Sequence, residues 1–286
     1  PRGDSQGKPG DALPQVTVSV PEQEGTTHSP IFVGGVGRSG TKLVRAILNA
    51  HPNITFGHEL KVTPKIAVAW DEVRSLSTHL TKHFGIRRSE IDNSFRQLIL
   101  SFLRNYTQDK EIKRIGEKTP NNVFVFPALN RLFPQSPLIH IVRDGRDVVR
   151  SMLEKNWSRP DGSPHPLCSS AEVAAEHWVD AVTFARSTPK DDKSREQYLE
   201  IRYEDLVTNP EPIMRQLVNH TGEPWSDQVL RFHELEDPLF PGVQRPISAK
   251  SVGRWNDKLS REDKDTVKRI AGDLLIELGY ASDYDW

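Results

Sequence analysis

Gly34-Gly35-Val36-Gly37-Arg38-Ser39-Gly40-Thr41-Lys42 follows the apolar run Ile31-Phe32-Val33 and leads into Leu43-Val44-Arg45-Ala46-Ile47-Leu48. A short apolar run that ends in glycines suggests a buried strand. Leu43, Val44, Ile47 and Leu48 share one helical face, so a helix is expected over 41–50, stopped by Pro52. Strand, glycine loop and helix in that order make an anion site. The glycines let backbone N–H groups approach an anion, and the helix adds its N-terminal partial positive charge. The nucleotide-binding consensus G-x-x-x-x-G-K-[ST] is nearly met by Gly35 and Gly40, but Thr41 precedes Lys42 where the consensus has Lys first. The inverted pair, with Arg38 inside the loop, argues against an ATP- and Mg²⁺-dependent kinase, which remains the alternative from another enzyme class.

Outward from this loop the chain alternates strands and helices. Strands are expected at 114–117, 138–142 and 198–203. Helices are expected at 91–106, 147–155, 171–186, 213–218 and 261–278. Residues 156–169 and 236–251 each carry three prolines and read as long loops of the kind that serve as lids. Strands alternating with helices imply an α/β fold, with a P-loop-like central parallel sheet flanked by helices. In such sheets ligands bind beyond the carboxyl ends of the strands. Residues 1–30, rich in Pro, Gly, Gln, Glu, Ser and Thr, read as a flexible polar leader or stem, and 31–286 as one folded domain.

Composition narrows the function. The 286 residues hold 38 basic and 39 acidic side chains, for a net charge of −1, which gives no broad basic surface for nucleic acid. No apolar run approaches the ~20 residues that cross a bilayer. The one cysteine, Cys168, excludes an intrachain disulfide and a Cys-rich zinc site, and no metal site is expected. A single cysteine leans toward the cytoplasm. Four N-x-[ST] sequons (at Asn53, Asn105, Asn156 and Asn219), the polar stem and the missing initiator Met lean toward a Golgi luminal fragment of a type II membrane protein. Nothing in the sequence fixes the oligomeric state.

A second segment bears on the ligand. After Leu138-Ile-His-Ile-Val comes Arg143-Asp-Gly-Arg146-Asp147-Val-Val-Arg150-Ser151. An arginine at a strand end and a hydroxyl on the next helix grip one more phosphate, or else Asp144 and Asp147 simply pair with the arginines.

With FVGGVGRSGTKLVRAILNAHPNITFGHE, GEKTP, LFPQSPLIHIVRDGRDVVRSM, YLEIRYEDLV and SVGRWNDKLS spread from Ile31 to Leu278, the chain resembles sulfotransferases that use 3′-phosphoadenosine 5′-phosphosulfate (PAPS). Among these it most resembles the tyrosylprotein enzymes and their bacterial relatives. The resemblance implies the sulfotransferase fold, PAPS as co-substrate and no metal. It implies sulfuryl transfer to an acceptor hydroxyl: a peptide tyrosine, or a glycan or small-molecule alcohol. It makes Gly37, Arg38, Ser39, Gly40, Thr41 and Lys42 the loop for the 5′-phosphosulfate, and Arg143 and Ser151 the grip on the 3′-phosphate. Tyr203 would lie near the adenine, and the segment of Ser251, Arg254 and Trp255 would close over the donor. Glu59, in Gly57-His58-Glu59-Leu60, would be the general base. Lys118, in Glu117-Lys118-Thr119-Pro120, would join Arg38 or Lys42 in neutralising the leaving phosphate oxygen. Three departures stand out: Lys42 replaces the second threonine of the loop, His58 replaces the acid before the base, and the cysteines of Golgi members are absent. Arg74, Lys82, Arg87 and Arg88 are either a basic rim for an acidic peptide or a solvated helix face.

Overall fold

The computed structural model describes residues 29–105, 114–159, 161–188, 190–235 and 245–286. Most of the polar leader, the expected helix end at Tyr106 and most of the second proline-rich loop lie outside them.

Five strands form one sheet: β1 (Ile31–Gly34), β2 (Ile54–Phe56), β3 (Arg114–Lys118), β4 (Leu138–Val142) and β5 (Tyr198–Arg202), in the spatial order β2-β3-β1-β4-β5. Every pairing is parallel, as the alternation of strands and helices predicts. Side chains alternate across the sheet. Ile31, Val33, Ile139, Ile141 and Ile201 pack on one face against α1 (Thr41–Asn49). Phe32, Leu138 and Val142 face the opposite core.

The first face is completed by a helix at Pro210–His220, through Met214, Leu217 and Val218. The second is covered by α6 (Gly145–Leu153), α7 (Ala171–Arg186) and α12 (Arg261–Glu277), with α2 (Thr63–Ser75) and α4 (Arg88–Arg104) on the same core. The remaining helices are α3 (Ser77–Phe84), α5 (Phe126–Leu132), α8 (Asp192–Gln197), α9 (Tyr203–Thr208) and α11 (Trp255–Lys258), and the helix at Pro210–His220 is α10.

Expected boundaries hold to within a few residues. α7 spans the predicted 171–186. α6 starts two residues before the predicted 147, because the Asp144 side chain caps it by accepting from the Arg146 N–H. Among the described residues no helix is long and apolar enough to cross a membrane.

Two glycines tie strands together by close approach. A Cβ on Gly116 would lie 2.1 Å from the Phe56 ring, so β2 lays its phenylalanine directly on β3. A Cβ on Gly35 would meet the Ile141 carbonyl oxygen at 2.6 Å, which lets the loop after β1 pass over β4. Strand order then fixes what the carboxyl ends present side by side. They bring the segment after β2 with Glu59, the end of β3 with Lys118, the loop after β1, Arg143 after β4 and Tyr203 after β5.

Candidate active site

The loop after β1 is shaped for an anion. Gly40 has φ +102° and caps α1. Arg38 sits at φ +79°, a left-handed conformation that side chains rarely adopt and that costs about 1–3 kcal/mol, held here by its surroundings. The hold is visible: Arg143 Nη1 donates to the Arg38 carbonyl at 3.0 Å, and Arg38 Nε donates to Ser151 Oγ at 3.0 Å. Burial lowers the Arg38 pKa, and the neighbouring charges of Arg143 and Arg150 lower it further. Several cations crowd one place, which favours an anion there. Buried Ser39 Oγ and Arg143 Nε have no hydrogen-bond partner among the described residues. These orphaned donors, the cation cluster and the helix N-terminus fit the phosphate groups of a donor such as PAPS.

Beside the loop, the Arg143 guanidinium lies 4.6 Å over the Tyr203 ring, and its Nη2 donates to the Ser251 carbonyl at 2.5 Å. Tyr203 Oη and Ser251 Oγ share a 2.6 Å hydrogen bond. The Tyr203 ring packs on the loop itself: a Cβ on Gly40 would stand 2.6 Å from its Cδ2. Arg38, Ser151, Arg143, Tyr203 and Ser251 therefore form one connected group around the loop. Residues 251 and 38 are brought there by different chain segments, and Asp147 explains how. This fully buried carboxylate accepts from the backbone N–H of Gly253 at 2.7 Å and of Trp255 at 3.0 Å, and so docks the late segment on α6. Arg146 is buried, not a surface residue. It pairs with Asp144 at 2.8 Å and is stacked on Trp255 and Trp286 at 4.0 and 4.7 Å. Trp255 is thus a packing anchor for the same segment.

On the other side of the loop, Lys118 Nζ donates to Glu59 Oε1 at 2.5 Å. Lys118 is 2% exposed, whereas the Glu59 side chain is partly open to solvent. Burial lowers the Lys118 pKa, the Glu59 pairing opposes this, and Lys42 and Arg45 lower it again. Glu117 is not at the surface of the cleft. Its carboxylate is 1% exposed, takes hydrogen bonds from Thr119 Oγ1 and Asn122 Nδ2 at 2.5 Å each, and is pushed up to about 7 by burial.

The remaining residues sort unevenly. Thr41 begins α1 and is buried, and Lys42 follows it exposed, near enough to act on Lys118. Gly37 lies open toward Trp157, the first aromatic of the proline-rich loop; a Cβ there would meet that ring at 3.5 Å. Arg254 is exposed, and its charge acts on Glu154, which pairs with Arg150 at 2.6 Å. In the suggested basic rim, Arg74 pairs with Asp92 at 3.1 Å and stacks on Trp70, and Arg87 pairs with Glu90 at 3.3 Å.

Sequence and fold comparisons bear on the family. The sequence model described as "Sulfotransferase family" matches residues 30–227. A Drosophila melanogaster protein-tyrosine sulfotransferase is 27% identical over 264 residues, covering 87% of this chain and 51% of its own length. Protein-tyrosine sulfotransferase 1 of Danio rerio is 27% identical over 266 residues, covering 87% and 72%. The chain thus spans about half the length of the first relative. Among solved structures, the sulfotransferase domain of the curacin biosynthetic pathway superposes with a TM-score of 0.60 at 18% identity, covering 87% of this chain and 98% of that one. A mouse sulfotransferase complexed with PAP gives 0.56 at 16% identity, covering 90% and 87%. With a family match over more than half its length and the parallel sheet of its structural neighbours, the chain belongs to the sulfotransferase family.

Proposed function

We propose that this protein transfers a sulfuryl group from PAPS to a phenolic hydroxyl, with tyrosine in a peptide or protein as the acceptor. The observation that carries the reading is the arrangement on either side of one phosphate loop. A cationic group built on Arg38 and Arg143 stands on one flank, and a paired carboxylate and ammonium, Glu59 and Lys118, on the other. The names of the curated relatives support the tyrosine acceptor, and the PAP in the mouse neighbour supports the donor.

The donor supplies a sulfuryl group whose bond to a phosphate oxygen breaks as the acceptor oxygen bonds to sulfur. The chain's residues do the rest. The loop N–H groups, Arg38 and Thr41 hold the 5′ end. Arg143 and Ser151 hold the 3′-phosphate, and Tyr203 supplies an aromatic face for the base. Lys118, with Arg38 or Lys42, meets the charge that builds on the leaving oxygen. Glu59 accepts the acceptor's proton at a carboxylate oxygen.

Calorimetric titration with adenosine 3′,5′-bisphosphate beside ATP with Mg²⁺ tests the donor. Tight binding of the bisphosphate with little for ATP is expected. Binding of ATP alone would put an ATP-dependent kinase first. The same titration checks the loop: Gly40→Ala should weaken the bisphosphate by about 10-fold or more, since a left-handed non-glycine residue costs about 1–3 kcal/mol. The added methyl would also press on Tyr203. Unchanged affinity would mean the loop does not hold the ligand.

A further inference from the structure

Glu59 lies on the short segment between β2 and α2, outside any strand or helix. Such a segment needs something to fix it if its carboxylate is to meet a reacting proton. Its backbone is held on both sides. Upstream, Arg45 reaches in from α1. It is 1% exposed and donates from Nη2 to the Phe56 carbonyl at 3.0 Å and from Nε to the Gly57 carbonyl at 3.4 Å. Downstream, the Lys61 N–H donates to Thr119 Oγ1 at 3.1 Å, and the Leu60 backbone lies near enough to the Glu117 carboxylate to lower its pKa. Lys61 itself has φ +55°, a strained turn for a residue with a side chain, directly after the anchored residue.

The downstream anchor is a built device. Thr119 Oγ1 accepts a hydrogen bond from Lys61 and donates one to Glu117 Oε1, so one hydroxyl joins the segment to β3. Both hydrogen-bond partners of the Glu117 carboxylate among the described residues, Thr119 and Asn122, are donors. A buried carboxylate is costly unless its donors are all in place. Sheet packing alone would be served by an apolar side chain. The cost falls on the residue next to Lys118, the partner of Glu59. The upstream anchor starts from the helix that opens at the phosphate loop, so donor site, ammonium and carboxylate are tied into one frame.

We propose that Arg45, Thr119 and Glu117 are positioning residues that clamp the Gly57–Lys61 backbone and so hold Glu59 against Lys118 for proton removal from the acceptor. The clamp rests on the reading of Glu59 as base, and a double-mutant cycle separates the two.

The test uses the full chain with PAPS and an acidic tyrosine peptide, and compares Glu59→Ala, Thr119→Val, Thr119→Ser and the Glu59→Ala/Thr119→Val pair. Thr119→Val should lower kcat by about 10- to 100-fold, as misplacing a catalytic group by about 1 Å does, with the KM for PAPS and bisphosphate affinity unchanged. Thr119→Ser should restore most of it, and the pair should be no slower than Glu59→Ala alone. Independently of any acceptor, amide exchange at Leu60 and Lys61 should quicken in Thr119→Val and not in Thr119→Ser. If Thr119→Val does not fold, Glu117→Gln takes its place in the same cycle.

Unchanged exchange at both amides overturns the clamp by itself. Full kcat in Thr119→Val beside a disabled Glu59→Ala overturns the clamp and leaves the base standing. Additive losses in the pair place the effect of Thr119 elsewhere and also overturn it. A fully active Glu59→Ala removes the base, and the clamp's purpose with it.

Discussion

Replacing Arg143 with alanine is expected to weaken binding of adenosine 3′,5′-bisphosphate by at least about 100-fold. A hydrogen bond to a charged group is worth about 1.5–3 kcal/mol, and this guanidinium forms more than one contact that shapes the site. In the proposed reading it grips the 3′-phosphate. It also holds the Arg38 carbonyl in its strained turn, the Ser251 carbonyl of the late segment, and the Tyr203 face. The loss should therefore exceed that of Ser151→Ala, which removes a hydroxyl bonded only to Arg38 among the described partners. Arg143→Lys should recover little, because one ammonium cannot reach the two carbonyls and cover the ring together. Calorimetry with the bisphosphate reads this directly. Affinity within threefold of the wild type would remove Arg143 from the phosphate site. High salt should weaken wild-type binding less than it weakens an exposed ion pair, because the group is buried.

Much of this site is legible in the sequence, for a physical reason. The loop after β1 and the strand β4 are marked by apolar runs that break into glycine or arginine, and burial on both faces makes such runs continuous. Strand β2 escapes the same reading. Ile54-Thr55-Phe56 is too short for periodicity to register, and it counts as a strand only because Gly116 lets Phe56 lie flat on β3. Helix α2 is also missed: Val68 is exposed on it, so its apolar residues do not fall on one face.

Among the candidate groups, the family motifs name Arg38, Lys118, Arg143 and Tyr203, and the fold gathers them around the loop after β1. Arg45, Thr119 and Asp147 do not show themselves. Each binds a backbone group, the carbonyls of Phe56 and Gly57 or the N–H groups of Lys61, Gly253 and Trp255, and a backbone group leaves no mark on the sequence. Asp147 was a natural partner for the arginines around it. It lies 3.7 Å from Arg143 and 3.8 Å from Arg150, but its closest contacts are the N–H groups of Gly253 and Trp255, more than a hundred residues away. Arg254, which the motif puts over the donor, is exposed, and its charge acts on Glu154.

Glu59→Ala is expected to leave bisphosphate binding near normal and to cut turnover on a tyrosine peptide by about 10²- to 10⁴-fold, the usual contribution of a positioned acid–base group. The split follows from where the carboxylate stands. It is on the β2 side of the sheet, across the loop from Arg143, Ser151 and Tyr203, and its bonded partner is Lys118. Removing it leaves the donor grip whole. It also leaves Lys118, disfavoured as an ammonium chiefly by burial and further by Lys42 and Arg45, without the carboxylate that sustains its charge. Lys118 should then ionise less readily. The variant's residual activity should fall further as pH rises through the range where that ammonium is lost, because the group that meets the leaving oxygen disappears with it. The wild type, with Glu59 paired to Lys118, should hold its ammonium to higher pH. Glu59→Gln separates the two roles: the amide still accepts a hydrogen bond from Lys118 but takes no proton. It should match Glu59→Ala in turnover near neutrality and lie between it and the wild type in its alkaline limb. A Glu59→Gln enzyme with full turnover would assign the carboxylate to holding Lys118 and leave proton removal to another group.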